Sequence, residues 1–279
     1  MSRRRSDRRR RRGTGPTAGS QRRQRRRQDA GSRRWNRAQS HVVGVSLMVG
    51  LTVLALGGLT VAIGTVVDSS ASNAEANRVA DAMTVVAEPG DVVGTAEAEL
   101  RFGDGSLRTE NRTIRILDAA NGTVIERVDS AVLVYTVGDW TVIGGNGAVL
   151  RAGSGGASMV ESPSIVADPD PNGPLLLGVP AIDAEALSID TDAAARVTFR
   201  ASVTHDRRDL GSRRIRVVVE TAYPDAWQRY FERNGATVID RSRSFPSDGA
   251  DAETSIVAEY AGPRQTYLVL HRTDLEVVS

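Results

Sequence analysis

The chain contains no lysine and no cysteine. Without lysine there can be no P-loop lysine, no Schiff base and no lysine general base. Without cysteine there are no disulfides and no thiolate metal sites, so a folded domain here must rely on its core. Histidine is almost missing as well. His41, His205 and His271 are the whole set, and none stands at the i, i+4 spacing of a zinc-binding helix. No Gly-x-Ser-x-Gly elbow occurs. The glycine-rich stretches at 144–147 and 153–156 separate strand-like segments, which makes them turns and not phosphate loops ahead of helices. These absences lead us to expect no cofactor and no enzymatic activity.

What is present is segregated charge. Among 279 residues the formal charge is only +2. Residues 1–37, however, hold sixteen Arg against Asp7 and Asp29, a formal +14. The other 242 residues hold 20 Arg against 32 acids, a formal −12. An acidic body of that kind repels itself, and high salt screens the repulsion. The arginine tail has one aromatic residue, Trp35, and no pattern of a nucleic-acid-binding fold. It reads as low-complexity and disordered, its charge suited to lipid headgroups, with no nucleic-acid partner expected.

Val42 to Val67 is a run of 26 residues without a charge. As a helix it would reach ~39 Å at ~1.5 Å per residue, more than the ~30 Å hydrocarbon core of a bilayer. The run is therefore expected to span a membrane once. Arginine before it and Asp68, Glu75 and Asp81 after it place the N-terminus in the cytoplasm and the C-terminal domain outside the cell. Two Asn-x-Thr triplets, at Asn111 and Asn121, are candidate glycosylation acceptors on that side. Within the run Gly50, Gly57 and Gly64 recur every seven residues and share one face, either because small side chains let helices pack closely in lipid or because Gly is simply frequent in membrane helices.

Three readings of the junction stay open. It can be a plain uncleaved anchor. It can be an export signal cut after Ala74-Glu75-Ala76, although the apolar run is longer than such signals carry. Or it can be a leader. Arg37-Ala38-Gln39-Ser40-His41-Val42-Val43-Gly44-Val45 resembles the class III leader junction of haloarchaeal type IV pilins and archaellins, with His41 where that family usually carries Pro. The stretches GGNGAVLRAGSGGASMVESPSI (144–165) and YPDAWQRYFERNGATV (223–238) resemble segments of the same pilin-like membrane family. The lysine-free, acidic body likewise resembles haloarchaeal proteins. The resemblance implies a membrane peptidase that cuts between Ala38 and Gln39, retention of the apolar helix, and other pilin-like subunits as partners through that helix.

Past the run, Ser69–Ala87 carries Val79, Met83 and Val86 at helical spacing, so the helix is expected to continue to Ala87 and stop before Pro89. From Asp91 the texture changes to period-two segments such as GTAEAELRF, RTIRILD, SAVLVYTVG and QTYLVLHR. Breaks at Asp104-Gly105, Asn121-Gly122 and Gly144-Gly145-Asn146-Gly147 predict an antiparallel meander. Pro224 and Gly235 bracket one short helix near 224–234, with Trp227, Tyr230 and Phe231 on a core face. Asp168, Asp170, Asn172 and Gly173 match positions 1, 3, 5 and 6 of a calcium loop, but position 12 is Val179 and two prolines stiffen the turn. A rigid exposed loop is the expectation there.

The expected fold is α+β and pilin-like. It comprises a disordered leader at 1–38, a transmembrane and continuing helix at 39–88, and a mainly antiparallel β ectodomain at 91–279. The expected function is that of a single-pass surface subunit acting in assembly or adhesion without catalysis. The alternative is an uncleaved, membrane-anchored surface module that binds a ligand.

Overall fold

The computed structural model describes the backbone of residues 25–87, 94–246 and 252–278, and the side chains of 45–60, 66–85, 94–246 and 252–278. The chain forms two compact units, Met1–Thr65 and Val66–Ser279. The first helix, α1 (Arg25–Ala87), runs through both. Its apolar part holds no proline, and Thr52 and Thr60 turn their hydroxyls back to the Met48 and Leu56 carbonyls at 2.8 and 2.9 Å. Those bonds satisfy the two threonine hydroxyls of the described apolar stretch within the helix itself.

After α1 come β1 (Gly94–Phe102), β2 (Gly105–Asp118), β3 (Val124–Val137), β4 (Trp140–Gly145), β5 (Ala148–Gly153), β6 (Gly156–Glu161), β7 (Ile165–Ala167), β8 (Leu175–Ala184), β9 (Ser188–Thr191), β10 (Ala195–Arg213), β11 (Ile215–Glu220), α2 (Pro224–Arg233), β12 (Ala236–Arg243), β13 (Ser255–Tyr260) and β14 (Arg264–Val278). One sheet has the order β1-β10-β14-β8-β7, and the other β12-β13-β11-β2-β3-β4-β5-β6 with β9 added beside β2.

This corrects the expected fold class. Among the described residues there are fourteen strands to two helices, so the chain is mainly β and not α+β. Among the described residues, too, no helix is long and apolar enough to cross a membrane. The described apolar side chains of α1 run from Val45 to Thr60. The expected run of 42–67 includes side chains at 42–44 and 61–65 that lie outside the described residues.

The meander is present from β2 through β6, each strand antiparallel to the next. Asn146 and Gly147 have φ of 55° and 75°, the two positive values that a tight type I′ hairpin turn demands. Asp104-Gly105 does not make a hairpin. β1 pairs β10 while β2 pairs β3, so this dipeptide hands the chain from one sheet to the other. Gly105 is required there, since its φ is +115° and a Cβ would fall 2.3 Å from the Thr136 carbonyl oxygen. β14 and β8 run parallel, the one departure from an antiparallel plan among the paired strands.

Two hydrophobic cores share the long strands. β14 gives Leu268 and Leu270 to the first and Leu275 to the second. β3 gives Val128 to the first and Leu133 and Tyr135 to the second, and β8 divides Leu177 and Val179 from Ile182 in the same way. Each switch is from even to odd numbering or the reverse. Because side chains alternate across a strand, the two cores lie on opposite faces of the same strands. At the crossover the side chains turn polar: Thr113, Ser130, Glu220 and Thr273 are buried there.

Candidate functional site

The C-terminal third of α1 is seated in the second core. Ala76, Val79, Ala80 and Met83 are at most 1% exposed, and their i, i+3, i+4, i+7 spacing is one stripe of a helix. They pack with Leu100, Phe102, Leu107, Tyr135 and Phe199. Polar contacts fix the register. Glu75 accepts the Gly103 N–H at 2.6 Å and pairs with Arg78. Arg151 donates to the Asn73 side chain while stacking 3.9 Å over the Trp140 ring. Gly138 lets the turn after β3 approach, since a Cβ there would sit 3.0 Å from the Ser72 hydroxyl. Burial and the neighbouring Glu75 carboxylate push the Tyr135 hydroxyl far above its usual range, so it remains a donor, bonded to the Asp104 carbonyl.

In the N-terminal unit the described apolar side chains are exposed, Met48 and Leu54 by 75% each. Gly50 and Gly57 lie on this stretch with no heavy atom within 4 Å of a hypothetical Cβ. Gly64 belongs to the same expected row, and its surroundings lie outside the described residues, as do the side chains of Ala38, Gln39 and His41.

The crossover between the cores opens into a cleft of about 1000 Å³. Its floor is Glu220, 4% exposed, whose two carboxylate oxygens accept the N–H groups of Thr113 at 3.0 Å and Glu253 at 3.1 Å. β11 stops pairing with β2 at Val219–Ile114, and the Glu220 side chain satisfies the next N–H in place of a strand. Ser130 accepts the Ile182 N–H at 3.1 Å and so ties β3 to β8 across the two sheets. On the wall Thr113 donates to Asp129 at 2.9 Å, and Arg127 pairs with the same carboxylate. Burial acts to raise the Asp129 carboxyl, but the hydrogen bonds from Arg127 and Thr113 outweigh it and hold the group below its usual range. A carboxylate stabilised in that way is a weak base. Arg112, beside Glu110 and Glu253, and Arg272 complete a lining of mixed charge. This arrangement suits recognition of a polar, charged ligand.

The two glycosylation candidates part company. Asn111 lies within β2, and Thr113, the hydroxyl residue of its triplet, is 6% exposed with its hydroxyl committed to Asp129. Asn121 lies at the exposed β2–β3 turn, where its side-chain oxygen accepts the Thr123 N–H at 2.9 Å and Gly122 takes φ +73°.

The calcium-like loop is held from within the protein. Asp168 and Asp170 accept backbone N–H groups two residues on, at 2.8 and 2.9 Å. Arg264, 4% exposed, reaches the carbonyls of Asp168, Gly173 and Ala261 at 2.9, 3.5 and 3.0 Å. A guanidinium thus supplies the positive charge that a metal would supply elsewhere. Among the described residues, no group of three or more His, Cys, Asp or Glu side chains is arranged to hold a metal ion. His205 and His271 face each other in the β10–β14 register, with Nδ1 to Nδ1 at 2.9 Å.

Sequence reasoning found the helix stripe through the spacing of Val79 and Met83. It missed the cleft, because Glu220, Ser130 and Asp129 come from separate strands and share no local motif. It also treated the two strand histidines as unrelated, and 66 residues separate them.

The model of a family of unknown function (DUF7289) matches residues 37–276 of the chain. No curated protein and no solved structure matches it.

Proposed function

Starting from a chain that belongs to DUF7289, as that match over most of its length shows, we propose that it is a cell-surface subunit that works by assembly or adhesion and not by catalysis. The observation that carries the reading is α1. One helix holds both a stripe buried in the β body at Ala76, Val79, Ala80 and Met83 and an exposed apolar stretch from Val45 to Thr60. Exposed apolar side chains of that density are recognition surface. Gly50 and Gly57 leave room for a second helix to approach. Attachment at the cell membrane, N-terminus inside and β body outside, belongs to the same proposal. It rests on the arginine-to-acid asymmetry around the apolar run and not on a spanning helix among the described residues.

Processing between Ala38 and Gln39, as in haloarchaeal type IV pilins and archaellins, is part of the reading. The family match runs over residues 37–276, and its start beside this junction supports the reading. Loss of the helix by an export-type cut after Ala76 fits poorly, since Ala76 is itself fully buried in the second core. The partners proposed are a membrane peptidase and other subunits of this kind. The charged cleft favours a second reading, an uncleaved surface module that binds a polar ligand. Mass spectrometry of the N-terminus from membranes separates the two. A first residue of Gln39 supports the processed subunit, and an intact arginine tail supports the anchored module.

A further inference from the structure

We propose that His205 and His271 form a two-imidazole site for a divalent transition-metal ion, with Cu²⁺ the preferred occupant. The two rings stand directly opposite in the β10–β14 register, nearly perpendicular at 84°, with Nδ1 to Nδ1 at 2.9 Å. Two nitrogens each ~2.05 Å from one metal, and at a right angle to each other, lie about 2.9 Å apart, whereas a tetrahedral angle would set them at about 3.3 Å. The spacing therefore matches neighbouring positions of a tetragonal site, the geometry of Cu²⁺ and Ni²⁺. Of these two, Cu²⁺ binds nitrogen more tightly at equal ligands.

The surroundings suit a metal held by two imidazoles. Both rings are half-buried and so remain open to solvent on one side. Gly178 on β8 lies beside the His271 ring, and a Cβ there would meet Nε2 at 3.4 Å, an ordinary contact, while crowding Ser164 at 2.8 and 2.9 Å. Two residues along the same face, the Thr273 hydroxyl is 2% exposed and lacks a hydrogen-bond partner. With two protein ligands the remaining positions belong to water.

The test uses the full chain in detergent at high salt, with Cu²⁺ alone as the probe. Calorimetric titration should give one saturable ion per chain, and paramagnetic resonance should show two equatorial nitrogens. His205→Gln and His271→Gln should each weaken binding at least tenfold, and His41→Gln should leave it unchanged. Absence of saturable binding would reduce the pair to two rings sharing one proton and overturn the proposal. Affinity unchanged in either variant would overturn it as well. If the variants lose their β signal, the resonance spectrum of the wild type still decides, because one nitrogen or none is incompatible with the site.

Discussion

Replacing Met83 with alanine tests whether the end of α1 is truly part of the β body. Met83 is fully buried among residues of the second core, beside Val79 and Ala80. Truncating a buried methionine costs about 2–5 kcal/mol, from lost transfer energy and the cavity left behind. For a unit the size of Val66–Ser279, 1 kcal/mol moves the melting midpoint by roughly 2–4 °C. Met83→Ala should therefore lower the midpoint of the full chain by roughly 4–20 °C in a circular-dichroism melt at high salt. Val85, 64% exposed on the same helix, is the control, and Val85→Ala should stay within about 0.5 kcal/mol of wild type. A Met83→Ala midpoint indistinguishable from that of Val85→Ala would mean that the end of α1 does not dock on the β body.

Other consequences follow from the same contacts. Arg264→Ala leaves three loop carbonyls short of a donor and should cost about 2–4 kcal/mol, while calcium and its chelator should leave the wild-type melt unmoved, because Arg264 already holds the loop. Glycan, if the β body is outside the cell, should appear on the Asn121 peptide and not on the Asn111 peptide, as glycopeptide mass spectrometry would reveal; occupancy at Asn111 would contradict the buried Thr113 hydroxyl. His271 is held below its usual range in the folded chain, so its unfolded form takes up a proton first as pH falls. Stability from this group is present above about pH 6.5 and is lost as pH drops from there toward the folded value, and His271→Gln should flatten that part of the midpoint-against-pH curve. The acidic body should melt less cooperatively as salt falls from molar to about 0.1 M, since the screening length grows from ~3 to ~10 Å.

Local signals were legible where one element satisfied itself. Pro224 opens α2 and its Trp227, Tyr230 and Phe231 face is buried, as the proline and the aromatic spacing predict. The hairpin at Asn146-Gly147 is written in its dipeptide. The α+β class failed because a 63-residue helix weighs less than fourteen strands, several of them longer than period-two counting suggests. Strands that serve two cores have apolar residues on both faces, as in Ser130–Val137, so alternation fades where the buried face changes over. Long-range pairings had no local trace. Nothing near Leu175 announces a parallel partner at Thr266, and nothing near Asp168 announces Arg264.

The central claim, assembly through the exposed stretch of α1, is open to a direct measurement because the native chain has no cysteine. Single cysteines placed in turn from Val45 to Thr60 can be oxidised in native membranes, and the crosslinked products read on a gel. The account predicts crosslinks that rise and fall with a helical period of ~3.6 residues and peak beside Gly50 and Gly57, and that weaken when Gly57→Leu is added. Crosslinking absent at every position, or uniform along the stretch and indifferent to Gly57→Leu, would contradict it.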